Sequence, residues 1–246
     1  MQIRYELQAF LSRWNIGNSR RTGKPLQKAI LWDNDGILVN SEVLFYEATR
    51  RYLQRHEIEL NPDLYFEYFL CNSAGTWHLL RDKGLNDDQI TTARHERNEL
   101  YTELLDSAPD LTTPGIETVL QQFSEKCHMA IVTSSDRGHF EQIHQRTGLL
   151  SHFNLVVAAG DYRHEKPNPE PYLVAANRLG VSPVDCIAVE DSPRGLNAAN
   201  AAGIPCVVMR THLTARHSFT GAYAVVDNPA ELQFVLHEWY EKHDIA

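Results

Sequence analysis

Four short polar clusters carry residue types that could do chemistry together. Asp33-Asn34-Asp35-Gly36 follows the apolar run Lys28-Ala-Ile-Leu-Trp, and Thr133-Ser134-Ser135 follows Met129-Ala-Ile-Val. Lys166-Pro167 stands alone in a loop-like stretch, and Glu190-Asp191-Ser192 ends the run Cys186-Ile-Ala-Val. Adjacent carboxylates repel unless a cation lies between them, and a donor set of oxygens alone suits Mg²⁺ rather than zinc. A lysine and a group of hydroxyls supply what the oxygens of a phosphoryl group need. One carboxylate could also act as a nucleophile and split a hydrolysis into two easier steps. Each cluster also has a plain structural reading. Asp33 and Asp35 could be turn acids, and Lys166 a surface lysine. Thr133–Asp136 and Glu190–Ser192 could cap the helices that follow them.

The elements that would hold these clusters are legible as alternation. Apolar runs recur at 28–33, 129–133, 155–158, 186–190 and 206–209, with a weaker one at 222–226. Between them lie helical patterns, three of which stop at Gly148, Gly180 and Gly203. Continuously apolar strands alternating with helices mean a parallel sheet covered on both faces. The fold class is therefore α/β, a doubly wound parallel sheet of Rossmann-like type, with an inserted all-α helical cap. In such a sheet, ligands bind beyond the carboxyl ends of the strands, where all four clusters fall.

The insertion is where the alternation fails. From Ser41 to about Pro109 there are helix signals and no convincing strand. Ser41 is read as a helix cap, Asn61-Pro62-Asp63 as cap, first-turn proline and acid, and Asn86-Asp87-Asp88 as another helix start. The division is residues 1–27 as an N-terminal extension, 28–41 and 110–246 as the α/β core, and 42–109 as the helical cap. Tyr5, Leu7, Phe10, Leu11 and Trp14 could line one face of a helix in the extension.

Composition excludes several classes. The chain has 246 residues, is 43% apolar and 22% charged, and carries a formal charge of −9. That apolar share builds a core, which a disordered chain lacks. No run approaches the roughly 20 apolar residues of a bilayer span, and Arg4, Glu6 and Arg13 interrupt what would be a signal-peptide core. Net acidity argues against a nucleic-acid partner. Cys71, Cys127, Cys186 and Cys206 form no CxxC pair, so they read as reduced thiols in a cytoplasmic protein, and the twelve histidines show no metal spacing.

At Ile30–Glu42 (ILWDNDGILVNSE), Lys166–Leu173 (KPNPEPYL) and Val189–Gly203 (VEDSPRGLNAANAAG), the sequence resembles the haloacid dehalogenase superfamily. The nearest match within it is the helical-cap phosphatase and β-phosphoglucomutase-like branch. The resemblance spans roughly residues 28–235. It implies Asp33 as the nucleophile and Asp35 as the acid that protonates the leaving oxygen and then the base that activates water. Thr133, the amide of Ser134 and Gly36, which follows Asp35, would bind the phosphoryl group of the substrate. Lys166 would bridge nucleophile and phosphoryl oxygen. Mg²⁺ would be held by Asp33, the carbonyl of Asp35 and Asp191, with Glu190 joining directly or through water. The substrate would be a small phosphorylated metabolite such as a sugar phosphate.

Departures from the family pattern narrow the activity. Dehalogenase members lack the second aspartate, which is present here as Asp35. Phosphonate-cleaving members use a cap lysine, and none lies between Glu42 and Arg81. Sugar phosphomutases carry a histidine and an arginine that fall here at Phe45 and near Ala74. The resemblance thus favours a phosphomonoester phosphatase over a sugar phosphomutase or a catalytically silent binding protein. Asn34 and Asn40 replace an apolar residue and an acid. Phe45, Asn72, Ser73, Thr76, Trp77 and His78 are the cap residues expected to face substrate, with Trp77 also readable as core. Hinges are expected near Asn40–Ser41 and 108–114.

Overall fold

The computed structural model describes residues 26–242 apart from Asn72; the readings for 1–25 and for Asn72 fall outside the described residues. Six strands form one sheet: β1 (Ala29–Trp32), β2 (His128–Val132), β3 (Leu155–Val157), β4 (Cys186–Glu190), β5 (Cys206–Met209) and β6 (Ala224–Val226). Their order is β3-β2-β1-β4-β5-β6, and every pairing is parallel. All six apolar runs became strands.

The helices of the core are α5 (Ile116–Phe123), α6 (Arg137–Thr147), α7 (Glu170–Leu179), α8 (Pro193–Ala201) and α9 (Pro229–Lys242). Side chains alternate across the sheet with period two. Ile30, Trp32, Met129, Ile131, Ile187 and Val189 pack on the face covered by Val119, Phe123, Phe140 and Trp239. The opposite face mixes Leu31, Val132 and Val208 with the small residues Ala29, Ala130, Ala188, Cys186 and Cys206, the cluster that also holds Ala175, Ala176, Ala198 and Ala199 of α7 and α8. Small against small lets those two helices approach closely, and their N-termini follow the loops that carry Lys166 and Asp191. α6 and α7 end at Gly148 and Gly180 with positive φ, and α8 is followed by Gly203, also with positive φ, as the sequence suggests.

The insertion after β1 is helical: α1 (Ser41–Gln54), α2 (Pro62–Tyr65) continuing into a π-helical Phe66–Cys71, α3 (Trp77–Asp82) and the long α4 (Asp87–Ser107). It has its own core of Leu53, Leu60, Tyr65, Leu70, Leu80, Ile90 and Ala93. Asn61 caps α2 through the amide of Leu64, and Asn86 with Gln89 forms a reciprocal capping box on α4. Ser41 corrects an expectation. It is the first residue of α1, with Asn40 at the cap position, and its hydroxyl donates to Asp35 instead of to a helix amide. The two chain segments joining insertion and core lie side by side, Asn40 N donating to Leu111 O (2.8 Å) and Thr113 N to Leu38 O (3.0 Å). That pairing coincides with both expected hinges.

Among the described residues no helix is long and apolar enough to cross a membrane. All four cysteines are free, three of them buried.

Candidate active site

The reversal of strand order falls between β1 and β4, and the polar clusters meet at the carboxyl ends of β2, β1 and β4. Asp33 leaves β1 with its amide still donating to Val189 O of β4 (2.9 Å), and the Thr133 amide is tied to Val157 O (3.0 Å). The last ladder bonds therefore fix where the polar side chains of the rim start.

Lys166 is the hub. It is 2% exposed, and its Nζ donates to Asp33 Oδ1 (2.7 Å), Glu190 Oε1 (2.6 Å) and Val132 O (2.7 Å). All three ammonium protons are thus used. Burial alone would lower the lysine pKa, but Asp33 and Glu190 outweigh it and push it up. Asp33 is raised to about 7, first by burial and then by repulsion from Glu190, with Lys166 opposing. Burial and the charge of Asp33 also push Asp191 well up.

Asp33, Glu190 and Asp191 offer carboxylate oxygens that all lie within 4.8 Å of one another. Asp191 Oδ2 is buried and has no hydrogen-bond partner among the described residues. A Cβ added to Gly36 would stand 2.1 Å from that oxygen, so the glycine, at φ +83°, is what lets the loop pass over Asp191. Three converging carboxylates with one oxygen orphaned in a buried site are a donor set that fits a hard divalent cation. Glu190 is differently engaged. Its Oε1 accepts from Lys166 and from Tyr172 Oη (2.6 Å), and its Oε2 from Ser192 Oγ (3.3 Å) and Asp191 N (3.3 Å). Gly195 leaves room for it, since a Cβ there would lie 1.9 Å from its carboxyl carbon.

Asp35 is held by three hydroxyls. Ser41 donates to Oδ1, while Ser135 and Thr133 (3.2 Å) donate to Oδ2. Thr133 Oγ1 also accepts from the Ser135 amide (2.9 Å). Asp136, rather than Thr133, caps α6 through Gly138 N (2.8 Å), and Ser192 caps α8. Asn34 faces away from the rim, and its Oδ1 lies 2.7 Å from Nε2 of the buried His144 on α6. That ring is pulled down to about 4 by burial, so it stays neutral and donates. The replacement of an apolar residue by Asn34 thus comes with a polar partner.

A cavity of about 250 Å³ opens above this rim. Asp33, Asp35, Thr133, Ser134 and Asp191 line its floor, whereas Lys166, Glu190 and Gly36 lie behind the wall. The helical insertion supplies the roof: Phe45 of α1, Phe69 and Leu70, and Arg97, Asn98 and Tyr101 of α4. Of the cap residues expected to face substrate, Phe45 is in the wall. Thr76, Trp77 and His78 are not; Trp77, half-buried, packs against the insertion's core, and His78 sits edge-on to the Tyr68 ring. Ser73 instead donates to the backbone carbonyl of Lys166 (3.0 Å), a direct contact from insertion to core.

Sequence reasoning missed Arg97, Arg194, Glu42 and Tyr172. Arg97 had a visible signal, being a charge in the middle of the apolar stripe Ile90, Ala93, Leu100, Tyr101 and Leu104.

Comparison with known proteins decides the family. The family model of haloacid dehalogenase-like hydrolases matches residues 30–209. The chain belongs to that family, in its phosphatase and phosphomutase branch. It is 32% identical to YhcW of Bacillus subtilis (strain 168) over 219 residues, 85% of this chain and 95% of that protein. It is 30% identical to the fructose-1-phosphate phosphatase YqaB of Escherichia coli (strain K12) over 185 residues, 74% of this chain and 95% of that protein. Among solved structures it is similar in fold to the β-phosphoglucomutase of Clostridium difficile. The TM-score there is 0.73 at 22% identity, over 89% of this chain and 99% of that one.

Proposed function

We propose that the protein is a Mg²⁺-dependent phosphatase that hydrolyses a small phosphomonoester, such as a sugar phosphate, through an aspartyl phosphate on Asp33. The observation that carries this reading is the state of the Asp33 carboxylate. Lys166 pins Oδ1, while Oδ2 has no donor among the described residues and the side chain lines the cavity floor. A carboxylate with one oxygen fixed and one free is a positioned nucleophile.

In the first step the free oxygen of Asp33 attacks phosphorus, and the bond from phosphorus to the leaving oxygen breaks. Asp35 gives that oxygen its proton. In the second step Asp35 takes a proton from water, whose oxygen attacks phosphorus and releases phosphate and the Asp33 carboxylate. Ser41 and Ser135 keep Asp35 aimed through both steps. Thr133 carries a single hydroxyl proton, now given to Asp35; turning it towards a phosphoryl oxygen would hold the transferring group, together with the Ser134 amide. Lys166 restrains Asp33 and offsets its charge.

Asp33, Asp191 and the carbonyl of Asp35 would hold Mg²⁺, and the orphaned Asp191 oxygen supports that assignment. Glu190 would join the ion directly or through water, and its Oε1 also fixes Lys166. When bound, the ion neutralises charge shared by the carboxylates and the phosphoryl oxygens. Residues 42–109 serve as the cap that excludes water, hinged at 40–41 and 108–114. Free buried thiols support work in the reducing cytoplasm.

The test is phosphate release from sugar phosphates, nucleotides and small phosphomonoesters, with Mg²⁺ and with a chelator. The expected result is turnover of at least one class that falls by about 100-fold or more in chelator. Equal turnover in chelator would contradict the metal assignment, and silence towards every phosphomonoester would contradict the function.

A further inference from the structure

Asn34 stands between Asp33 and Asp35, yet its side chain turns away from the rim and is fully buried. Its backbone carbonyl accepts the amides of Leu38 (2.9 Å), Val39 (3.2 Å) and Ile37 (3.3 Å). The turn that leads from Asp35 towards Ser41 is therefore gathered on this one residue. Its side-chain Oδ1 lies 2.7 Å from Nε2 of His144, which is 3% exposed. Asn34 Nδ2 has no partner among the described residues, so the bond to His144 is what holds this buried amide.

The direction of that bond is set from behind the ring. Thr147 Oγ1 accepts from the Leu149 amide (3.4 Å) and lies 2.9 Å from His144 Nδ1, so its own proton goes to Nδ1. Nε2 then carries the ring proton and donates it to Asn34. The imidazole also packs on Phe140 at 4.5 Å between ring centres, and Phe140 and Ile143 of the same helix belong to the main core. That helix, α6, grips the insertion as well. Arg146 Nη2 donates to Leu105 O (2.8 Å) and Ala108 O (3.0 Å), and Gln142 Nε2 to Asp106 Oδ1 (2.8 Å), all at the end of α4. One rigid element thus touches both the reactive loop and the cap beside its second connection.

Two apolar side chains would fill the space between β1 and α6 without burying an amide and an imidazole. A hydrogen bond does what apolar contact does not, because it fixes distance and direction. Lys166 and the hydroxyls of Ser41, Ser135 and Thr133 restrain Asp33 and Asp35 by their side chains. The backbone between the two is restrained from the opposite side, through Asn34. We propose that His144 is a positioning residue for the reaction: through Asn34 it holds the loop so that the Asp33 and Asp35 carboxylates keep their spacing during phosphoryl transfer. The proposal rests on the phosphatase reading above. Thr133 and Ser134, which would grip the phosphoryl group, follow β2 and are tied separately to β3. Loss of the His144 bond should therefore be felt in turnover and not in substrate binding.

Steady-state kinetics on a hydrolysed phosphomonoester test it, with kcat expressed per folded molecule and the folded fraction taken from thermal melting. His144→Leu and Asn34→Leu are each expected to lower kcat by about tenfold or more, with KM within about twofold of the intact protein. His144→Gln, whose amide nitrogen can replace Nε2 as donor, should stay within about threefold of the intact kcat. Because both single changes remove the same bond, the double variant should lose no more than either one alone. Should His144→Leu fail to fold, Asn34→Leu and His144→Gln carry the same comparison.

A fall in melting temperature with kcat per folded molecule unchanged would show that the pair only packs, and would overturn the proposal while the phosphatase stands. Losses that multiply in the double variant would overturn it too, since the two residues would then act separately. If the intact protein releases phosphate from no ester, both readings fall together.

Discussion

Asp33→Asn is expected to abolish phosphate release, by about 10⁴-fold or more, and at the same time to stabilise the metal-free protein above neutral pH. On the proposed mechanism the loss follows from removing the nucleophile, since an amide oxygen in its place does not attack phosphorus. The gain follows from charge. Burial and Glu190 raise the Asp33 pKa to about 7 in the folded state, against 3.8 ordinarily. The folded protein therefore holds this proton where the unfolded chain has lost it. The stability it confers is fully present below about pH 4 and is lost as pH rises through about 7, worth roughly 4 kcal/mol at most. An asparagine never ionises, yet its Oδ1 can still accept from Lys166. Urea unfolding in chelator between pH 4 and 8 should show stability falling with pH, and falling less in the variant. A variant with equal pH dependence would contradict the charge balance drawn for the site.

Lys166→Met should be damaging in both respects. Its ammonium makes three buried hydrogen bonds, and two of the acceptors are carboxylates 12% and 0% exposed. Methionine fills much of the volume but leaves Asp33 and Glu190 facing each other without the cation. Breaking a buried pair by removing one partner costs about 3–5 kcal/mol. Because Lys166 is the group that lowers the Asp33 pKa, its loss should raise that pKa further. Stability of the variant should then recover as pH falls, and added Mg²⁺ should restore part of it at neutral pH by standing near Asp33. Turnover should drop by about 100-fold or more. Unfolding free energies measured by urea at pH 5 and pH 8, with and without Mg²⁺, check all of this. A change under about 1 kcal/mol at pH 8 would mean the lysine is not the counter-charge.

The parts legible in sequence are those written locally. The central strands are contiguous apolar runs, because a strand buried on both faces leaves few polar positions to blur it. The reactive groups were legible because they stand where those runs end, as Asp33 after Trp32 and Glu190 at the end of β4. What stayed hidden depends on contacts between residues far apart in the chain. Asn34 was an unexplained polar residue until His144, 110 positions later, was found against it. Tyr172 reads as helix packing, but its hydroxyl reaches Glu190. Ser41 occupies a capping position in the sequence pattern and spends its hydroxyl on Asp35. Trp77 and His78 were candidates by proximity to the cap loop. The direction of α3 leaves Trp77 packed against the insertion's core, and Arg97, one long helix away, lines the cavity roof.

The most direct test of the account is to find the covalent intermediate. The protein is mixed with a hydrolysed substrate and Mg²⁺, quenched in acid within the first turnovers, digested and examined by mass spectrometry. The account predicts the added mass of one phosphoryl group on the peptide that contains Asp33, absent in Asp33→Asn and absent when chelator replaces Mg²⁺. Rapid turnover with the Asp33 peptide unmodified at every quench time, or phosphate carried on another residue, would contradict it.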